Sequence, residues 1–494
     1  MTMWIEIALR AGQPGDGTAA LTAALARLAA FTGQSSARAL LHVREIPLKA
    51  SDWRLTVETR DGARTLHAIQ TEEPALPGFT RYRSFARPAG DDLGASLREF
   101  AEAEAALRAP LAKAHRVIGF AAQALPADCD GREIERIEWR IDMDGMFLRA
   151  LLDTAADGHP ELRLAAPAVD GSLDALFRLA GAVIDATPFV IASGATSSFN
   201  TDPVHATGLD VPPSATRRAA FVAMAASVAG QWFGNEAAAR HGLGDEHVHQ
   251  LRVAQRRLKT LLKLFRDDID ETWHTRIAPD LAWFGGLLAE ARDWDVFVGK
   301  TLPAYAASDD DAARWQALIA AARTRRQDAR ERLRDALASK RHARLALAFI
   351  EWLARFAVQE DAAPVSFIAF AARRIRKDYR RMAGVPDLVR LPAQERHRVR
   401  IHAKRLRYAL EFFRSILSSQ TRKHAGALLG QLQSALGEAN DAAVAADRLA
   451  ALPEATDYQR GFARAWSAAA ARVDAQEGER LLRALRRPRL KASL

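Results

Sequence analysis

The stretch His249-Gln-Leu-Arg-Val-Ala-Gln-Arg-Arg-Leu-Lys-Thr-Leu-Leu-Lys-Leu-Phe265 returns 148 residues later as His397-Arg-Val-Arg-Ile-His-Ala-Lys-Arg-Leu-Arg-Tyr-Ala-Leu-Glu-Phe-Phe413. His249 falls on His397, Arg252 on Arg400, Arg256 on Lys404, Arg257 on Arg405, Lys259 on Arg407 and Phe265 on Phe413. The same interval carries Leu288-Ala-Glu-Ala-Arg-Asp-Trp-Asp-Val296 onto Leu436-Gly-Glu-Ala-Asn-Asp-Ala-Ala-Val444, with Glu290 on Glu438 and Asp293 on Asp441. One interval shared by two separated segments indicates an internal duplication. It predicts an all-α C-terminal domain of two homologous helical bundles, with repeats at about 214–345 and 362–494.

On a helix, His249, Arg252, Arg256, Lys259 and Lys263 step by three or four residues and share one face, while Leu251, Ala254, Leu258, Leu261, Leu262 and Phe265 take another. His397, Arg400, Lys404 and Arg407 repeat the basic stripe. Like charges one turn apart repel by a few tenths of a kcal/mol. Two stripes of one sign therefore call for an anion or for carboxylates from a neighbouring helix, for which Asp293 and Asp441 are the candidates. The candidate anion-binding residues are His249, Arg252, Arg256, Arg257, Lys259, Lys263, His397, Arg400, Lys404, Arg405 and Arg407.

Charge is divided unevenly along the 494 residues. The first 210 hold 21 Lys and Arg against 28 Asp and Glu, a net of −7; the remainder holds 49 against 32, a net of +17. Such asymmetry points to two domains, the basic one facing an anion. A breaker-rich segment, 193–215, separates them. The expected division is 1–200, a linker at 201–213, and 214–494.

No secretory leader is legible at the start, and the longest apolar run, 219–230, is too short to span a bilayer. The single cysteine, Cys129, allows neither an internal disulfide nor a cysteine metal cluster. A cytoplasmic protein with no membrane partner and no cofactor is expected. His247 and His249, and His397 and His402, lack the i,i+4 spacing of a helical metal pair. Trp273, Trp283, Trp294 and Trp315 read as core rather than as a base-stacking platform.

The first 200 residues alternate in short segments: Trp4–Arg10, Trp53–Arg60, Thr65–Thr71, Ile137–Met143 and Met146–Asp153, with Asp61-Gly62 and Asp144-Gly145 as hairpin turns. Helices are expected near Ala19–Thr32, Asp91–Arg108 and Leu173–Ile184. The pattern predicts an α+β domain built on an antiparallel sheet or barrel.

The two histidine-led stripes, each followed by Leu-x-Glu-Ala-x-Asp, resemble the CHAD family of conserved-histidine α-helical domains over roughly residues 217–472. That resemblance implies two four-helix bundles around a basic pore that binds inorganic polyphosphate, with association with polyphosphate granules as a corollary. CHAD domains often follow a CYTH domain, a triphosphate tunnel barrel, and the first 200 residues are similar in layout. The tunnel hallmark Glu-x-Glu-x-Lys here reads Glu6-Ile-Ala-Leu-Arg10. Gln70 stands where a phosphate-binding lysine would end a hairpin strand, Glu161-Leu-Arg-Leu-Ala165 replaces alternating carboxylates, and Ser193-Gly194 replaces Ser-Lys. The expectation is a degenerate tunnel without metal-dependent hydrolysis and with no catalytic or metal residues. A triphosphatase of the CYTH family and a basic nucleic-acid-binding protein are the alternatives.

Overall fold

The computed structural model describes residues 3–11, 18–31, 37–46, 52–72, 76–108, 131–155, 160–192, 202–359, 365–385 and 387–491. The chain divides into two compact units, Met1–Asn200 with Ala338–Arg355, and Thr201–Leu337 with Phe356–Leu494.

The first unit is built on strands β1 (Met3–Ala11), β2 (Ala37–Ile46), β3 (Trp53–Arg60), β4 (Ala63–Thr71), β5 (Phe79–Ala89), β6 (Arg132–Met143), β7 (Met146–Ala155), β8 (Glu161–Pro167) and β9 (Phe189–Ile191). They pair antiparallel in the order β5-β4-β3-β2-β6-β7-β8-β1, and β5 also pairs with β1, which closes an eight-stranded barrel. The short β9 adds to the far end of β1 through Leu9 and Ile191. Both Asp-Gly hairpins turn as expected. Asp61 and Gly62 take φ of 50° and 81°, and Asp144 and Gly145 take 58° and 82°, the left-handed pair that matches strand twist.

Alternation sorts each strand into two faces. Ile5, Ile7 and Leu9 of β1 are buried, as are Leu55, Val57, Leu66, Ala68 and Phe85, which pack with Phe100 of α2 (Leu93–Ala103). The apolar face thus looks outward to the helices α1 (Thr18–Phe31), α2 and α3 (Ser172–Ala186). The other face, which includes Glu6, Ala8 and Arg10, looks into the lumen.

The second unit is all helical: α4 (Arg217–Arg240), α5 (Asp245–Leu264), α6 (Ala278–Val296), α7 (Leu302–Ala307), α8 (Gln316–Ala338), α10 (Phe367–Ala383), α11 (Ala393–Phe412), α12 (Ser419–Ala450) and α13 (Asp457–Ala484). Helix α9 (Lys340–Val358) belongs for most of its length with the first unit. There, Arg344 pairs with Asp185 of α3 at 2.7 Å.

The 148-residue interval of the sequence recurs in the bounds of α5 and α11 and of the 3-10 turns that follow them, Arg266–Asp268 and Arg414–Ile416. Phe265 and Phe413, matched by the repeat, are both fully buried. Each meets Phe370, at ring distances of 4.5 and 6.2 Å, and each such burial stabilises by about 1.5–3 kcal/mol. Helices α4 and α10 start side by side through reciprocal bonds: Arg217 N donates to Val365 O and Phe367 N to Ala215 O. Trp273, Trp294 and Trp315 are buried and Trp283 is half-buried. Among the described residues, no helix is long and apolar enough to cross a membrane.

Candidate polyanion-binding site

Helices α5 and α11 pack against each other, and Tyr408 joins their basic faces. Arg256 Nη2 donates to the Tyr408 hydroxyl at 2.9 Å, with its guanidinium 5.9 Å from the ring centroid. Arg407 lies over the same ring at 5.1 Å. An electron-rich phenol between two guanidiniums is a favourable cation–π support for both. It places one member of each stripe at a common point.

Along α5 the stripe is continuous. Arg252 donates to Gln255 at 3.1 Å, and burial together with Arg256 lowers its guanidinium pKa, against the pull of Asp293 and Tyr408. Burial, then Arg252 and Lys263, lowers that of Lys259. His249 and His402 are both held below the ordinary imidazole value, first by burial. For His249 the neighbouring cations are Arg292 and Arg256; for His402 they are Arg405 and Arg381. Uncompensated cations lower one another's pKa because each charged form repels the next.

Several side-chain nitrogens on these two helices are buried and have no hydrogen-bond partner among the described residues: His249 Nδ1, Arg256 Nε, His402 Nδ1 and Arg407 Nε. Buried polar atoms are nearly always satisfied, so such a set marks where a ligand or water belongs. Asp293 accepts from Arg448 of α12 at 3.4 Å. The Asp441 and Glu438 side chains lie outside the described residues.

The α5 stripe ends in a cleft of about 580 Å³. Lys259 and Lys263 reach it from α5, Arg405 from α11, and Arg374, Lys377 and Arg381 from α10. Arg266 and His274 complete its basic lining, and Asp378 is the single carboxylate in it. Burial raises the pKa of the Asp378 carboxyl, against Arg381, Arg405, His402 and Arg374. Arg374 is steadied by Asp267 at 2.9 Å. Among the described residues no hydrogen bond or ion pair holds Lys259, Lys263 or Arg405.

The remaining candidates separate. Arg257 is only 2% exposed; its Nε donates to Glu411 at 2.7 Å and its Nη1 to Gln231 at 2.7 Å. Its bonding is satisfied inside the fold. His397 is exposed, and Arg400 and Lys404 are half-buried on α11. The α10 cations were not among the sequence candidates, although Arg374, Lys377 and Arg381 step by three and four. That spacing was a readable signal. It lies outside the repeated segments that single out α5 and α11.

The barrel lumen is a different environment. Arg136 donates to Asp153 at 2.7 and 2.9 Å and to Glu58 at 2.9 Å, and Arg163 donates to Asp153 at 2.7 Å. Burial acts to raise the Asp153 pKa, and the guanidiniums of Arg163 and Arg136 overcome it and hold the carboxyl low. Arg10 pairs with Glu161 at 3.3 Å, and the Tyr82 hydroxyl donates to Glu6 at 3.4 Å. Burial raises the Tyr82 phenol pKa, with Glu6 adding to it. Gln70 donates to Asp52 at 3.1 Å. Ser193 and Gly194 lie outside the described residues. Among the described residues, no three His, Cys, Asp or Glu side chains are grouped to hold a metal.

A closed antiparallel barrel followed by helices with paired basic faces defines a tunnel-like domain joined to a helical one that carries two basic stripes. Residues 223–450 match the CHAD domain family. The crystal structure of the CHAD domain from the plant Ricinus communis is 30% identical over 59% of this chain and all of that one, with a TM-score of 0.53. This chain belongs to the CHAD family. PptA from Streptomyces chartreusis is 18% identical over 55% of this chain and 99% of its own, with a TM-score of 0.42. HpAC1 from Hippeastrum, an assigned adenylyl cyclase with a dominant triphosphatase activity, is 18% identical over 39% of this chain and 92% of its own, with a TM-score of 0.25. No curated protein matches.

Proposed function

We propose that this protein binds inorganic polyphosphate along the basic faces of α5 and α11 and in the cleft beside them. The observation that carries the reading is the set of buried side-chain nitrogens on both helices that have no partner among the described residues, His249 Nδ1, Arg256 Nε, His402 Nδ1 and Arg407 Nε. Polyphosphate offers an anionic oxygen at every unit, and guanidiniums on rigid helices meet phosphate oxygens with short charge-assisted bonds. Binding through many such contacts favours long chains over short ones, since later contacts are intramolecular once the first has formed. In cells the protein is expected on polyphosphate granules.

Titrating the full chain with long-chain polyphosphate, duplex DNA and tripolyphosphate at one salt concentration tests this. Affinity should fall in the order long polyphosphate, tripolyphosphate, DNA. DNA bound as tightly as polyphosphate would favour the nucleic-acid reading instead. The tunnel reading makes its own test: with the lumen carboxylates engaged by arginines and Ala8 in the place of a second carboxylate, triphosphate with Mg²⁺ or Mn²⁺ should not be hydrolysed above background. Turnover that Glu6→Ala abolishes would overturn it.

A further inference from the structure

Arg257 and Arg405 are equivalent in the repeat but differ in every bond they make. Arg257 is enclosed by two acceptors, the Glu411 carboxylate of α11 and the Gln231 amide oxygen of α4. The repeat interval relates Glu411 to Lys263. For α4 and α10 the interval is 150, set by the reciprocal Arg217–Val365 and Phe367–Ala215 bonds and by the N-caps Thr216 and Ser366. That interval relates Gln231 to Arg381. Both acceptors around Arg257 are therefore cations around Arg405, and Lys263, Arg381 and Arg405 all line the 580 Å³ cleft. Between His249 and Phe265, Lys263 against Glu411 is the one matched pair of opposite charge.

The one carboxylate lining the cleft, Asp378, lies 3.6 Å from Arg381, and the cations in excess of it repel one another unless a further anion sits among them. Burial and Arg405 together lower the Lys263 pKa, the sign of such repulsion. At Arg257 the fold supplies that anion from within. A carboxylate and a phosphoryl group present oxygens to a guanidinium in a similar planar, forked manner. Arg257–Glu411 is thus an internal image of the complex that Arg405 is built to make.

We infer that the cleft at Arg405, Lys263 and Arg381 is a discrete subsite for one phosphoryl group of a condensed phosphate, and that Glu411 and Gln231 close the related position at Arg257 so that only one such subsite exists per chain. This rests on the polyphosphate reading and sharpens it: the polyanion is anchored at one end of the paired stripes, in one register.

The test uses the full chain with tripolyphosphate and long-chain polyphosphate as probes. Wild type should bind one tripolyphosphate. Lys263→Glu with Arg381→Gln copies the Arg257 surroundings onto Arg405. It should weaken tripolyphosphate binding by roughly 30-fold or more, the scale of losing charged hydrogen-bond partners. The melting temperature should not fall, because a repulsion becomes a pair. Arg486→Gln with Arg487→Glu makes the same charge change at two exposed C-terminal residues and should leave affinity within about three-fold, as peripheral charges do in salt. Equal losses in the two variants, two tripolyphosphates per wild-type chain, or unchanged affinity in the cleft variant would each overturn the inference. In that last case, tight long-chain binding would leave the wider reading standing. A wild-type chain that binds neither probe removes both.

Discussion

In the barrel lumen, Arg136 and Arg163 are interleaved with Glu58 and Asp153 at 2.7–2.9 Å. In the helical cleft, Lys259, Lys263 and Arg405 face a cavity with only Asp378 as a lining carboxylate. Both regions are rich in arginine, although the lumen pairs are shielded while Lys259, Lys263 and Arg381 of the cleft are exposed. What separates them is where the counter-charge comes from. The lumen carries its own, strand by strand, because alternation places acid and base side chains on the same inward face. The cleft draws six cations from three helices, Lys259, Lys263, Arg374, Lys377, Arg381 and Arg405, against the one carboxylate of Asp378. An arginine count says little about anion binding until the local carboxylates are counted with it.

The largest expected effect breaks the cleft side of this contrast. Arg252→Glu with Arg256→Glu should reduce affinity for long-chain polyphosphate by two orders of magnitude or more, at about 1.5–3 kcal/mol for each charged hydrogen bond to phosphate that is removed. Helix content should be intact, since among the described residues these side chains bond only to Gln255 and Tyr408. Circular dichroism and binding isotherms on one preparation decide it; a collapse of helix content would mean the stripes hold the fold.

The next breaks the lumen side. Asp153→Ala leaves Arg136 and Arg163 facing each other in a buried site and should cost about 3–5 kcal/mol of stability, read by denaturant titration, with polyphosphate affinity unchanged. Because the folded Asp153 carboxyl is held low, its contribution is complete above its unfolded pKa of about 4 and is lost as pH falls through the folded value. A variant as stable as wild type at pH 7 would show that the lattice adds nothing.

A third contrast is ionic strength. The logarithm of polyphosphate affinity should fall linearly with log salt, with a slope of roughly −0.7 per neutralised phosphate for a flexible single chain. The stability of the self-paired lumen should change little, since buried pairs are weakly screened. A flat affinity against salt would remove the multivalent stripe.

The smallest effect is in protons. His249 and His402 are held below the free imidazole value, so both are mostly neutral at pH 7. A bound polyanion stabilises their charged forms. Binding should therefore take up protons, and affinity should rise as pH falls from 8 to 6. Protonation of Asp378, whose pKa is raised, adds to the rise at lower pH. Calorimetry in buffers of different ionisation enthalpy measures the uptake; none at all would place both histidines away from the ligand.

How much of this could be read beforehand depended on which side of an element carried the signal. Strands β3 and β7 stood out because Leu55, Val57, Leu148 and Ala150 alternate with polar residues. Strand β5 was not expected. In Phe79-Thr-Arg-Tyr-Arg-Ser-Phe85 one face, Thr80, Tyr82 and Ser84, is wholly polar and the other interrupts its two phenylalanines with Arg81 and Arg83, so no apolar alternation shows; a strand of an ion-paired lumen needs no apolar inner face. The paired stripes were legible from 3.6-residue spacing alone. Arg257 entered the candidates through its match to Arg405 although it stands outside the 249-252-256-259-263 ladder, and the structure encloses it. No helical period in one segment can reveal that Glu411, from 154 residues away, closes over it.

The placement of α9 bears on how the polypeptide is made. The first strand leaves the ribosome early, yet Trp4–Arg10 pairs with Glu161–Pro167, so the barrel stays open until β8 has been synthesised. Even then its unit lacks the helix of Ala338–Arg355, which arrives only after α4 through α8 of the other unit have been delivered. Vectorial synthesis tends to complete domains one at a time from the N-terminus. Here the second unit must begin before the first can finish, and a nascent chain arrested near residue 200 would carry every barrel strand but not the helix that completes its unit.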